Sequence, residues 1–346
     1  MLDQLRSDEL KSVTALVKAL SSVIGPVSKI TLTRELKQLI DNGLVERKGG
    51  GRSTAYRLSE AHSFQRPINI DEYFSREIDQ RAINENFNFD IFRKLEENAL
   101  FTEKELNHLT KLQNEFLIQK SKLTPIILLK EFERVTIELS WKSSAIEGNT
   151  YSLLETEALI RDGIEAKGKK KEETQMILNH KEALQFVMDN LDELKVLKPS
   201  IIEHIHSTLI KNLGVAKNLR QTLVGIIGTN YKPLDNQFQI QEALQETCSL
   251  INKLSGVFEK ALVALLMISY IQPFEDGNKR TSRILANGIL FSFNGFPLSF
   301  RSVDISLYKK AMLIFYEANN IFLIKQIFIE QAEFAVKNYF RSSITK

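Results

Sequence analysis

Residues 261–271, ALVALLMISYI, are apolar at every position except Ser269. A helix that is apolar all round belongs in the middle of a packed protein, and a bilayer span takes about 20 residues, so this run reads as a buried core helix. It ends abruptly at QPFEDGNKR, and helical spacing resumes from about Lys279 through Phe291. A buried helix, a sharp polar loop and a second helix therefore form the centre of whatever this chain builds. The 346 residues suffice for one large domain plus a small one, or for two of medium size. With 43% apolar and 26% charged residues the chain is ordinary globular material, neither disordered nor fibrous.

One cysteine, Cys248, excludes an intramolecular disulfide framework and a cysteine-based metal cluster. The N-terminal MLDQLRSDELK is charged and lacks the apolar centre of a secretory signal. We therefore expect a cytoplasmic protein that does not engage a membrane. The net charge is +3, and residues 1–62 hold ten Lys and Arg against seven Asp and Glu, so the whole excess lies there. That location hints at a nucleic-acid partner, although a surplus of this size equally suits a solvated surface.

Residues 7–20 repeat apolar positions at helical spacing behind a Ser7 or Asp8 cap, and residues 28–42 do the same with Gly43 as a stop. LVERKGGGRSTAYRLS then reads as two short strands, Leu44–Arg47 and Thr54–Leu58, across a glycine-rich turn. Helices followed by a basic hairpin make a winged helix-turn-helix domain over residues 1–62, and the segment resembles those of bacterial regulators. That resemblance implies a DNA partner, with Thr31, Thr33, Arg34 and Lys37 entering the major groove and Arg47, Lys48 and Arg52 on phosphates. Winged helices also serve as protein-docking or dimerisation modules. Residues 63–100 read as a helical connector, and from residue 101 nearly everything reads as helix. AKGKKKEE (166–173) reads as a solvated loop or frayed helix start, and 219–240, broken by Gly225, Gly228 and Pro233, as a strand pair.

In FEDGNKRTSR, Gly277 and Asn278 tolerate left-handed backbone angles, so the chain can turn sharply before a helix. That helix begins with unpaired N–H groups and the positive end of its dipole, a natural anion site. Arg280 and Arg283, three apart, can add guanidinium hydrogen bonds to phosphate oxygens, and Asp276 could hold a Mg²⁺ that bridges phosphates. Together these describe a metal–polyphosphate site, while D-G-N is also an ordinary helix-start turn.

QPFEDGNKRTSR is similar, at every position but the first, to the active-site motif of the Fic family, HPFx[D/E]GN[G/K]RxxR. IHSTLI at 205–210, RQTLVGIIGTNYKP at 220–233 and LYKKAMLIFYEANN at 307–320 follow in the family's order. The resemblance covers residues 101–346 and implies a mainly α, helical Fic fold with a short β-hairpin flap. It also implies transfer of AMP from ATP, with Mg²⁺, to a Ser, Thr or Tyr hydroxyl of a target protein, which includes the chain itself. In that reading Asp276 holds the metal, while Gly277, Asn278, Lys279, Arg280 and the helix N-terminus hold the α- and β-phosphates. Arg283 takes the γ-phosphate. Lys279 stands where many AMP-transferring members carry glycine. The flap, Val224, Gly225, Ile226, Ile227, Gly228, Thr229 and Tyr231, aligns the target segment by strand addition.

SSAIEGN (143–149) resembles the family's inhibitory helix, here about 138–150, with Ser143, Glu147 and Gly148 matching. The resemblance implies that Glu147 pairs with Arg283 and displaces the γ-phosphate, one carboxylate competing with a phosphate for one guanidinium. Taken alone, S-x-x-x-E is commonplace on helices.

The loop 272–283 departs from the family at its first position. Gln272 stands where a histidine acts as general base, and an amide cannot accept the hydroxyl proton. That help is worth about 10²–10⁴-fold in rate. Neither Glu275 nor the pair His204 and His206, two apart on a helix and so facing different ways, supplies a replacement, and His206 is expected to pack. Three explanations stand open: a pseudoenzyme that binds nucleotide, a deliberate inactivation of a working enzyme, or a reaction needing no base here. The competing function is a nucleotide-sensing DNA-binding regulator; a homo-oligomer fits either.

Overall fold

In the computed structural model of the chain, which describes residues 2–5, 10–41 and 44–341, helix α1 (Val13–Ile24) is capped by Ser12, whose hydroxyl accepts from the Ala15 N–H. Apolar spacing had this helix start at residue 7. It starts at Val13 because Lys11–Ser12 (β1) instead pair as extended chain with Tyr56 and Ala55. The expected caps Ser7 and Asp8, the stop Gly43 and the Arg52 side chain lie outside the described residues.

Gly25 (φ +88°) ends α1, and the chain bends by 102° before α2 (Lys29–Asp41). Strands β2 (Val45–Lys48) and β3 (Ala55–Leu58) pair antiparallel, Val45 opposite Leu58, and the sheet order is β1-β3-β2. Gly49 is required in their turn: its φ is +74° and a Cβ there would lie 2.6 Å from the Ser53 carbonyl oxygen. Leu16, Leu20, Leu32, Leu36, Val45 and Leu58 form the core beneath. The short helices α3 (Glu60–Gln65) and α4 (Ile70–Phe74) follow, and this unit spans residues 1–83 with 318–323. Within it, Asn320 Nδ2 donates to the carbonyls of Ser63 and Arg66.

The second unit, residues 84–317 and 324–346, is helical. It runs through α5 (Ile91–Glu97), α6 (Glu103–Ser121), α7 (Pro125–Ile146), α8 (Leu153–Asp162), α9 (Lys171–Asp189) and α10 (Pro199–Leu209). α11 (Gln237–Lys253), α12 (Val257–Ile271) and α13 (Asn278–Ser292) follow, with α14 (Ile305–Ala318) and α15 (Phe322–Asn338) last. The starts are encoded locally. Thr102 and Ser152 form capping boxes with Glu105 and Glu155, and Thr124 caps α7 ahead of Pro125. The apolar run is buried as expected: residues 260–271 of α12 and 280–292 of α13 are buried, and the two helices pack chiefly on each other. Among the described residues no single helix is long and apolar enough to cross a membrane.

One element departs from expectation. Residues 219–236 contain no strand pair; the segment is irregular, with a single isolated bridge from Lys232 to Asn86. Gly225, Gly228 (φ +92°) and Pro233 break the β-branched runs too often for a ladder.

Candidate active site

Gln272 follows the last turn of α12 in the left-handed region (φ +50°, ψ +60°), which costs a side-chain-bearing residue about 1–2 kcal/mol. Its carboxamide is engaged at both ends. Nε2 donates to the Ser269 carbonyl at 2.6 Å, and Oε1 accepts from Asn278 Nδ2 at 3.0 Å. The side chain therefore caps the helix that precedes it and pins the loop that follows.

Gly277 (φ +82°) opens α13, and a Cβ there would meet Ile210 at 3.1 Å. Asn278 holds the loop closed: Oδ1 accepts from the Phe274 N–H at 2.9 Å and Nδ2 donates to the Phe274 carbonyl at 2.8 Å. His206 stacks on Phe274 with ring centres 3.6 Å apart, and its Nε2 meets the Asp276 carbonyl at 2.9 Å. Burial drives its pKa down to about 4, so it is neutral and packs, as its sequence position suggested. Glu275 is exposed, and His204 stacks separately on Phe186.

Arg280 is buried, and its Nη2 donates to Asp276 Oδ2 at 2.8 Å, while the Asp276 side chain is 62% exposed. Three residues on, Arg283 is fully buried and gathers the C-terminal end of α7. Nε donates to Ser143 Oγ at 2.8 Å, and Nη2 donates to the Ser143 carbonyl at 3.0 Å and to Glu147 Oε1 at 2.7 Å. Lys279 Nζ lies 3.8 Å from the other oxygen of Glu147, which thus sits between two cations. Burial pushes the Glu147 carboxyl up, but Arg283, Lys279 and Arg280 outweigh it and hold the carboxyl below its ordinary range. Burial likewise works against the Arg283 charge, and Glu147 outweighs it, holding the guanidinium above its ordinary value. Glu147 directly follows α7, and Gly148 (φ +97°) turns the chain away. Ser143 also meets His180 Nε2 at 2.8 Å, and the Tyr308 ring lies 5.7 Å from the Arg283 guanidinium carbon.

The residues fit a nucleotide polyphosphate. Among the described residues Arg280 Nε and Nη1 are buried without a hydrogen-bond partner, and they stand in the first turn of α13, whose N–H groups the helix leaves free. Asp276 offers one accessible carboxylate, which suits Mg²⁺ bound through one carboxylate and substrate phosphates; no cluster of three or more potential ligands occurs among the described residues. The Asn278 side chain is satisfied inside the loop by Gln272 and Phe274, which leaves its main-chain N–H, at the start of α13, as the group it could offer an anion.

The flap residues Val224, Gly225, Ile226, Ile227, Gly228, Thr229 and Tyr231 share the irregular segment; Ile227 is 98% exposed and Tyr231 is buried. In the first unit Thr31, Thr33, Arg34 and Lys37 are exposed on α2, and Thr33, Arg34 and Lys37 share one face with Lys29 and Ile30. The Thr31 hydroxyl meets Ser28 Oγ and the Thr33 hydroxyl donates to the Lys29 carbonyl. Arg47 and Lys48 are exposed on β2. Sequence reasoning assigned no role to His180, Arg220 or Tyr308; Arg220 and Tyr308 lie inside quoted segments, at 220–233 and 307–320, and all three reach the site only through folding.

Residues 196–290 match the profile of the Fic/DOC family. The protein adenylyltransferase fic-1 of Caenorhabditis elegans is 29% identical over 162 residues, covering 44% of this chain and 31% of that protein. The protein adenylyltransferase Fic of Nematostella vectensis is 30% identical over 162 residues, covering 45% and 38%. The chain thus spans about a third of the length of the curated relatives it matches. Among solved structures, C. elegans Fic-1 superposes with a TM-score of 0.57 at 21% identity, over 68% of this chain and 70% of that one. A Fic family protein from Desulfovibrio desulfuricans does so with 0.58 at 19% identity, over 68% and 74%. The fold is that of these Fic proteins.

Proposed function

We propose that this chain is a scaffold for Fic-type AMP transfer from ATP to a protein hydroxyl, restrained by Glu147 and impaired by Gln272. The observation that carries the reading is the arrangement at α13. Glu147 occupies the guanidinium of Arg283, while Arg280 keeps two buried donors open beside the helix N-terminus. Those donors and the first-turn N–H groups would hold the α- and β-phosphates, and Arg283 would take the γ-phosphate once Glu147 withdraws. Asp276 would release Arg280 to hold Mg²⁺, which neutralises phosphate charge when bound. The target oxygen would form a bond to the α-phosphorus as the bond to pyrophosphate breaks, and the hydroxyl proton then needs an acceptor. The Gln272 amide cannot accept it, which removes about 10²–10⁴-fold in rate. A cytoplasmic setting, with ATP and Mg²⁺ at hand, suits this reading.

The test is incorporation of α-labelled ATP into protein, self-labelling included, by Glu147→Gly and by Glu147→Gly with Gln272→His. Labelling by the double variant alone supports the reading. Labelling by the single variant removes the pseudoenzyme interpretation, and labelling by neither removes AMP transfer.

A second reading, a nucleotide-sensing DNA-binding regulator, draws on the first unit. The 102° bend across the turn at Gly25 suits a helix-turn-helix, and β2 and β3 suit its wing. In that reading the exposed Lys29, Arg34 and Lys37 of α2 face DNA, and the salt dependence of duplex binding tests it.

A further inference from the structure

The end of α12 leaves main-chain carbonyls that no helix N–H reaches, and a buried carbonyl needs a donor. Gln272 supplies two: its N–H serves the Ile268 carbonyl at 3.2 Å and its Nε2 serves that of Ser269. The flap segment supplies the rest. The Tyr231 hydroxyl donates to the Tyr270 carbonyl at 2.9 Å, its ring stacked on Tyr270 with centres 4.8 Å apart. Arg220 Nε donates to the Gln272 carbonyl at 2.6 Å, its Nη2 reaches that of Ile271 at 3.5 Å, and its main-chain N–H serves that of Pro273 at 3.0 Å.

The same guanidinium closes the flap on itself. Nη1 donates to the Thr222 carbonyl at 2.8 Å and Nη2 to that of Leu234. Arg220 is 2% exposed, and all of these bonds go to main-chain oxygens. Between the two anchors Leu223 and Ile227 stand in solvent, 78% and 98% exposed. The Lys232 N–H to the Glu85 carbonyl adds one further tie near the second end.

We propose that Arg220 is a positioning residue: one buried guanidinium fixes both ends of segment 222–234 to the carbonyl of residue 272. The surface that aligns the target and the side chain that meets its hydroxyl are thereby held in one frame. A planar fork reaches carbonyls in several directions at once, and a lysine ammonium on a flexible stem does not, so the role is specific to arginine. The proposal rests on the AMP-transfer reading for its catalytic consequence but not for the clamp itself.

Two measurements on the full chain test it. In hydrogen exchange, Arg220→Lys should speed the hydrogen-bonded amides of Tyr231, Lys232, Gln272 and Phe274 at least tenfold while α7 and α15 keep their protection. In the Glu147→Gly, Gln272→His background, Arg220→Lys should lower kcat for self-labelling at least tenfold and leave KM for ATP within twofold, because the phosphate-binding groups of α13 are untouched. Unchanged flap protection overturns the clamp. A fall in kcat with a rise in KM, together with lost protection throughout, reduces Arg220 to a residue of general stability and also overturns it. Tyr231→Phe, which removes only the bond to the Tyr270 carbonyl, decides the matter if Arg220→Lys does not fold: exchange at 229–234 should rise severalfold, and no change overturns the anchoring. If the background variant itself does not label, AMP transfer fails, and the exchange result still decides the clamp.

Discussion

Arg283 Nη2 stands 2.7 Å from Glu147 Oε1, and the same guanidinium binds Ser143 through both its side chain and its carbonyl. A fully buried cation is thus compensated by one carboxylate arriving from the end of another helix. Removing either partner of such a pair is costly, because the survivor stays buried without its counter-charge.

Glu147→Gly should therefore destabilise the fold by about 3 kcal/mol, the lower end for breaking a buried ion pair. The freed Arg283 should bind phosphate in its place. MgATP affinity by calorimetry should rise at least tenfold over the parent chain, and nucleotide at 100 times its Kd should return about 2.7 kcal/mol of stability.

Gln272→Leu should cost about 1–3 kcal/mol, because it strands the Ser269 carbonyl and leaves one of the two Asn278 Nδ2 N–H bonds unmade. The shift in denaturant midpoint measures it. An unchanged midpoint would mean that Gln272 does not hold the loop.

Acid should weaken the site in two stages. Burial first, then Arg283 and Arg280, drive the pKa of His180 well below its ordinary 6.5, so the folded chain keeps it neutral while the unfolded chain takes up a proton. Its contribution to stability is complete above pH 6.5 and declines as pH falls below that value. Glu147 is held below its ordinary 4.5, so its share is present above that pH and is lost only as pH falls through its lower folded value. Urea unfolding across pH should show His180→Gln flattening the upper part of the decline, and Glu147→Gln the lower part.

For the DNA reading, Arg34→Ala and Lys37→Ala should each weaken binding to duplex DNA similarly across sequences and lower the slope of log K against log salt by about 1. A slope that does not move, or no binding at low salt, removes that role for α2.

Features that depend only on neighbours along the chain are written locally. Thr102, Thr124 and Ser152 mark their helix starts, the apolar run marks the buried α12, and Gly277 with the Asp276–Arg280 pair builds the loop within one turn of α13. The motif residues were legible because their geometry is local. Tertiary structure alone decided the rest. The Glu147–Arg283 pair, 136 positions apart, was legible only through the resemblance of its motif, whereas His180 meets Ser143 across 37 positions and Arg220 reaches residue 272 across 52 by packing that no local pattern records. The same reason explains the two misread elements. Lys11 and Ser12 form strand rather than helix because β3 offers them a partner, and the 219–236 segment failed to become a hairpin because its glycines and proline denied it one. A strand exists only by virtue of its partner, whereas a helix closes its hydrogen bonds within itself.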